Sequence, residues 1–217
     1  AGNIHSTLPA KFATYTEELQ KVGYKTGFTG KGWSPGRLEA GGRTENPAGK
    51  EYTAGTWEAT FRFMRNNDYA ANFEDFLGEV EEGEAFCFWL GTSEPHRGYE
   101  NGAGIKTGKD PSKVRVPAIF PDNDIVRSDI LDYLVEIEHF DSMVERAIAS
   151  LERRGLLDNT IVVVTSDHGM PFPRAKASLY DWGSKVPLAI RWPEGIEVNG
   201  RVVDSFVNLS DLAPTFL

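Results

Sequence analysis

"NTIVVVTSDHG", Asn159–Gly169, drives a run of β-branched apolar residues straight into an aspartate, a histidine and a glycine. A short apolar run without polar alternation predicts a strand covered on both faces, as in a parallel sheet. "AFCFWLG", Ala85–Gly91, has the same character, and "KVPLAIRWP", Lys185–Pro193, predicts a further strand stopped by its proline. "YKTGFTGKG", Tyr24–Gly32, predicts a strand with Tyr24, Thr26 and Phe28 in alternation, ending at Lys31.

Helical patterns separate these strands. Residues 14–22, "TYTEELQKV", carry a threonine cap, an apolar face of Leu19 and Val22, and a glycine stop at Gly23. Residues 69–80 place Phe73, Phe76, Leu77 and Val80 on one side. The longest helix is predicted over 126–154, with Ile130, Leu134, Ile137, Met143 or Val144, Ile148 and Leu151 facing the core and Gly155 ending it. Residues 32–56 and 100–124 are Gly-, Pro- and charge-rich loops, and 201–217 predicts a strand and the start of a helix. Strand, loop, helix and buried strand in this order define an α/β fold with a largely parallel central sheet flanked by helices. Ligands of such sheets bind outside the carboxyl ends of the strands. Lys31, His96 and Asp167–His168 each follow such an end, so three segments are expected to meet at one edge of one sheet.

The chain has 217 residues, is 40% hydrophobic and 12% aromatic, and carries a net charge of −9. Composition allows one globular domain. The acidity argues against a general nucleic-acid surface, so a bound anion needs a local cluster of cations or a metal. No apolar run approaches the roughly 20 residues of a membrane helix. The single cysteine, Cys87, sits among Phe86, Phe88 and Trp89 and suits a small core residue. The first residue is Ala1, and both ends read as cuts in a longer protein in which a targeting segment would precede.

Each chemical candidate has a plain alternative. A carboxylate and an imidazole both ligate divalent cations, so Asp167 and His168 suit a metal site where Gly169 permits a close approach. They equally suit a turn in which Asp167 caps amides. His96, in "SEPHRGY", is a proton or hydrogen-bond donor or an inert loop residue. Arg97 beside it suits a solvated charge or an ion-pair partner. Lys31 and Lys176 are anion holders or ordinary surface lysines, and the P-loop spacing is absent. Trp33 lines a pocket or packs its own loop.

Together these stretches resemble the sulfatase family of the alkaline-phosphatase-like superfamily, most nearly the sulfatases akin to heparan N-sulfatase. The resemblance runs through "LQKVGYKTGFTGKG", "GTSEPHRGY", the 126–169 helix and strand, "KASLYDWGSKVPLAIRWP" and the closing "NLSDLAPTFL". It implies one partial sulfatase catalytic domain over residues 1–217, with the nucleophile segment and a C-terminal subdomain outside it. It implies a metal-dependent hydrolase of sulfuric esters or sulfamates on sulfated sugars of the glycosaminoglycan type. Asp167 and His168 would be metal ligands, usually for calcium, with magnesium or manganese as alternatives. Lys31, His96 and Lys176 would be catalytic and substrate-binding, the lysines on the sulfate and His96 on the sulfate or leaving-group side. A secreted, periplasmic or lysosomal setting also follows by analogy.

Two departures qualify the resemblance. The family nucleophile is a formylglycine made in a C/S-x-P-S-R motif, and this chain has no such motif. Trp33 stands where a histidine often follows the active-site lysine. A phosphodiesterase or phosphonate monoester hydrolase of the same superfamily, or a non-catalytic remnant that binds sulfated glycans, are the alternative readings.

Overall fold

The computed structural model describes residues 5–217, which divide into two compact units. The first is built from the chain up to Glu58, Arg65–Ser93 and Val203–Leu217; the second comprises Ala59–Met64 and Glu94–Val202.

The first unit is organised by a three-stranded parallel sheet. β1 (Lys25–Gly30) lies between β2 (Lys50–Glu51) and β3 (Phe86–Gly91), with Lys25 opposite Phe86 and Gly30 opposite Gly91. The central strand is covered on both faces: Thr26, Gly27, Phe28 and Thr29 are all buried. β3 is the sheet edge, so it is half-buried rather than enclosed, and Trp89 is exposed. Helix α1 (Tyr15–Lys21) opens with a capping box in which Thr14 and Glu17 satisfy one another's backbone amides. Leu19 is buried, but Val22 is the C-cap, just past the last helical residue, and faces water. Arg43, itself buried, clamps this region by pairing with Glu17 and donating to the carbonyls of Leu8 and Phe12. Burial pushes the Glu17 carboxyl up, but hydrogen bonds from Arg43 and Thr14 outweigh it and hold it below the usual range.

Helix α2 (Tyr69–Gly78) begins at Asp68, whose side chain accepts from the Ala71 amide. It packs Phe73 and Phe76 against Phe88 of β3, with ring centroids 4.9 and 4.7 Å apart. Tyr52 meets Phe76 edge-on at 5.5 Å. Phe76 and Tyr69 are almost wholly buried, each stabilising the unit by on the order of 2–3 kcal/mol. Cys87 lies near Tyr15, and burial pushes its thiol up to about 11. Helix α6 (Leu212–Phe216) closes this unit with Phe216 against Tyr15 at 5.4 Å. No strand forms over 201–207, where the valines and Phe206 are exposed.

The second unit is arranged around helix α4 (Asp124–Arg153), capped by Asn123 and against which the short helix α3 (Ala103–Lys106) packs. The buried face of α4 carries Leu131, Val135, Met143, Ala147 and Leu151, together with Asp132, Glu136 and His139. It is turned from the expected one: Leu134 is exposed and Ile130 and Ile137 are only partly covered. Asp132 explains part of this, because its carboxylate accepts from the backbone amides of Gly102 and Gly104 at the start of α3. β4 (Val162–Thr165) pairs antiparallel with β5 (Leu188–Arg191), Val162 opposite Arg191 and Thr165 opposite Leu188. Helix α5 (Asp181–Ser184) lies in the connection between them. The strand ending at Asp167–His168 is therefore not a strand of the parallel sheet. It is half-buried in a two-stranded antiparallel sheet of the second unit.

Candidate functional site

In the first unit β1 delivers Lys31. Its amide donates to the Gly91 carbonyl at 2.6 Å, which fixes the backbone across the ends of β1 and β3, and its side chain is exposed. Gly30 makes this crossing possible: its φ is +73°, and a Cβ there would strike the Gly91 carbonyl. A cavity of about 350 Å3 opens at this carboxyl edge, lined by Lys31, Arg65, Asn66, Asn67, Tyr69 and Ser93, with Gly30 and Thr56. Its floor is fixed by amide bonding. Fully buried Asn72 donates to Thr29 Oγ1 at 3.1 Å and to Asn67 Oδ1 at 2.8 Å, and Asn67 donates to Thr29 at 3.2 Å. The Tyr69 hydroxyl accepts from the Ser93 amide at 3.0 Å. Among the described residues two cations and no carboxylate line this cavity, in a chain of net charge −9. Such a lining favours an anion. Sequence reading missed Arg65; its signal was "RNN" immediately before the Asp68 cap, placed at the cavity by the bridge between Thr56 and Asn67. Trp33 packs its own loop instead: its amide donates to Asn46 Oδ1 at 3.0 Å, and it does not line the cavity.

The second unit carries His96, Asp167, His168 and Lys176. His96 is exposed, and its Nδ1 faces the Arg97 carbonyl at 3.0 Å. His168 Nδ1 faces the Gly169 carbonyl at 2.8 Å. A carbonyl oxygen only accepts, so Nδ1 carries the proton and neutral His168 keeps its lone pair on Nε2. That Nε2 lies 3.4 Å from Asp167 Oδ2, so two electron-rich atoms face one another. A cation shared between them would satisfy both, and the spacing suits neighbouring ligands of one divalent ion. The donor pair fits such an ion but does not enclose it: among the described residues no group of three or more His, Cys, Asp or Glu could hold a metal.

The loop after the pair is tightly closed. The Gly169 amide donates to the Gly183 carbonyl at 3.0 Å, and a Cβ on Gly169 would collide with the Trp182 carbonyl, so the glycine serves a close approach. The Met170 carbonyl accepts from the amides of Phe172 at 2.8 Å and Lys176 at 3.0 Å, which brings the Lys176 backbone back toward the Asp167–His168 pair. Arg174 and Ala177, on either side of Lys176, have φ values of 63° and 62°. Left-handed non-glycine residues are strained and concentrate where a side chain must be held in place. Cys87 offers no nucleophile: burial pushes its thiol up to about 11, against the opposing hydrogen bond with Tyr15, and so keeps it a neutral thiol at physiological pH.

The family model described as sulfatase matches residues 3–217, and the chain belongs to that family. It is 35% identical over 108 residues to human N-sulphoglucosamine sulphohydrolase, a match covering 50% of this chain and 22% of that protein. Its fold resembles that of a phosphonate monoester hydrolase from Silicibacter pomeroyi, with a TM-score of 0.69 at 20% identity over 93% of this chain and 56% of that one. It also resembles a protein solved with its substrate D-glucosamine-2-N,6-O-disulfate, with a TM-score of 0.60 at 17% identity over 88% of this chain and 57% of that one. The chain thus spans about half the length of these structures. At such identities they establish the alkaline-phosphatase and sulfatase fold, and family membership rests on the family model.

Proposed function

We propose that this chain supplies the lysine, histidine and metal-pair portion of a sulfatase catalytic domain that hydrolyses sulfate esters or sulfamates on sugars. The observation that carries the reading is the cavity at Lys31, lined among the described residues by two cations and no carboxylate, within an acidic member of the sulfatase family. The similarity to an N-sulphoglucosamine sulphohydrolase supports a sulfated amino sugar as substrate.

Hydrolysis of R–O–SO3− by water gives R–OH and hydrogen sulfate. Charge builds on the non-bridging oxygens and on the departing oxygen. Lys31 and Lys176 neutralise the former, and His96 donates a proton or hydrogen bond to the latter. Asp167 and His168 hold a divalent cation, calcium by family habit, which supplies further charge stabilisation when bound. The nucleophile is a formylglycine, as elsewhere in the family, supplied outside the sequence described. An extracytoplasmic setting accords with a similarity to an extracellular sulfatase of Drosophila melanogaster. Among the described residues no helix is long and apolar enough to cross a membrane.

The test compares the full-length protein on N-sulfated and 6-O-sulfated glucosamine with the matching phosphate esters. Sulfate or sulfamate turnover that Lys31→Ala and Lys176→Ala each cut by about 100-fold or more is the expected result. Faster turnover of phosphate esters would assign the phosphohydrolase reading instead. Tight binding of sulfated sugar with no turnover of either would leave a glycan-binding protein.

A further inference from the structure

Arg97 makes more contacts than a loop arginine needs. Its Nη1 and Nη2 donate to the two carboxylate oxygens of Asp129, on the second turn of α4, at 2.9 and 2.6 Å. Its Nε donates to the Pro171 carbonyl at 3.0 Å. The guanidinium carbon lies 5.0 Å from the Tyr99 ring centroid and 4.9 Å from that of Phe172. These rings belong to one aromatic cluster, in which Phe172 also meets Phe120 and Tyr133, at 5.6 and 5.7 Å. Only a planar fork does all of this at once; a lysine ammonium could not pair bidentately, reach Pro171 and lie against two rings.

Stability alone does not account for the arrangement. The Arg97 and Asp129 side chains are 44% and 34% exposed, and ion pairs at that exposure add little to folding. What the contacts share is their address. Arg97 is the neighbour of His96, and the Arg97 carbonyl is the group that His96 Nδ1 faces. Pro171 lies three residues beyond His168, and Met170 before it holds the Lys176 amide. All of these residues belong to the second unit.

We infer that Arg97 is a positioning residue that ties the His96 segment to the loop carrying Asp167, His168 and Lys176, and so sets where the His96 ring stands relative to the departing oxygen. This rests on the role given to His96 above, and the experiment separates the two. In the full-length protein, Arg97→Lys, Asp129→Asn and His96→Ala are compared on two aryl sulfates, one with a good leaving group and one with a poor one. Thermal midpoints are recorded alongside.

Loss of a leaving-group donor slows the poor leaving group far more than the good one, whereas general damage slows both alike. Arg97→Lys is expected to lower kcat for the poor leaving group by about 10- to 100-fold and for the good one by less than about 3-fold, with KM nearly unchanged. Asp129→Asn, which leaves Arg97 in place but removes its charge partner, should show the same selectivity at smaller amplitude. Selectivity in His96→Ala without any in Arg97→Lys and Asp129→Asn would overturn the inference and leave His96 its role. Absence of selectivity in His96→Ala would remove that role, and the inference with it. An equal loss on both substrates in Arg97→Lys, with a lowered thermal midpoint, would also overturn it, leaving Arg97 a structural clamp.

Discussion

The two units solve the problem of a buried interior in opposite ways. The first packs Tyr52, Phe73, Phe76 and Phe88 onto a parallel sheet whose central strand is wholly covered. The second surrounds a long helix whose buried face includes two carboxylates and an imidazole, and its strands stay half-exposed. An apolar interior gains from every methylene it excludes from water, so it tolerates truncation poorly and pH well. An interior with buried acids depends on protonation and on hydrogen bonds from loops. Four of the five candidate site residues belong to the second unit, where the loop after Asp167–His168 is closed by backbone bonds and left-handed residues.

The sharpest way to break this contrast is to truncate the aromatic core. Phe76→Ala should cost about 4 kcal/mol, with a cooperative loss of the first unit seen by calorimetry or hydrogen exchange. A loss below about 1 kcal/mol would mean that the aromatic cluster is not what holds the sheet.

The metal pair comes next. Asp167→Ala should weaken divalent-cation binding by at least about 10-fold, whereas His168→Asn, which keeps an uncharged side-chain oxygen donor at that position, should retain most of it. Calorimetric titration of calcium and manganese into the full-length protein reads both. Equal loss in the two variants would mean that the imidazole is indispensable.

The buried acid of α4 gives a pH signature to the second unit. Burial first, and then the neighbouring Glu94 carboxylate, push Glu136 up to about 7. Its folded value lies above its unfolded one, so ionisation opposes folding. Stability should therefore rise as pH falls from about 7 toward 4.5 and be lowest above 7, by on the order of 2 kcal/mol. Glu136→Gln should flatten this dependence in thermal melts between pH 5 and 8. An unchanged profile would place the titration elsewhere. The smallest effect is expected at Ile190 on β5, which is 37% exposed: Ile190→Thr should cost less than about 1 kcal/mol.

The legibility of the sequence follows the same division. In the first unit, apolar periodicity and cap residues located α1, β1, α2 and β3 to within a few residues, because local pattern and burial agree there. The α/β class was legible for the same reason, whereas the family likeness came from the order of short motif stretches through both units. In the second unit, "IVVVT" resembled an enclosed parallel strand, yet it pairs antiparallel across a connection of some twenty residues that no local pattern encodes. The α4 face was misplaced because Asp132, Glu136 and His139 count as polar in any periodicity, although Asp132 is buried by bonds to α3. Asp167, His168 and Lys176 could be named from the sequence. That Gly169 and Met170 close one loop around them could not, since those bonds run from backbone to backbone. Arg65 was missed because its place at the cavity depends on a bridge between residues eleven apart.

Cys87 turns the first unit into its own reporter. It is the chain's single cysteine, lies half-buried beside Tyr15 of α1, and has its thiol pushed up to about 11 by desolvation. Alkylation should therefore be slow in the native fold and faster once α1 and β3 part, and a mass shift of one adduct would follow that opening with no label introduced.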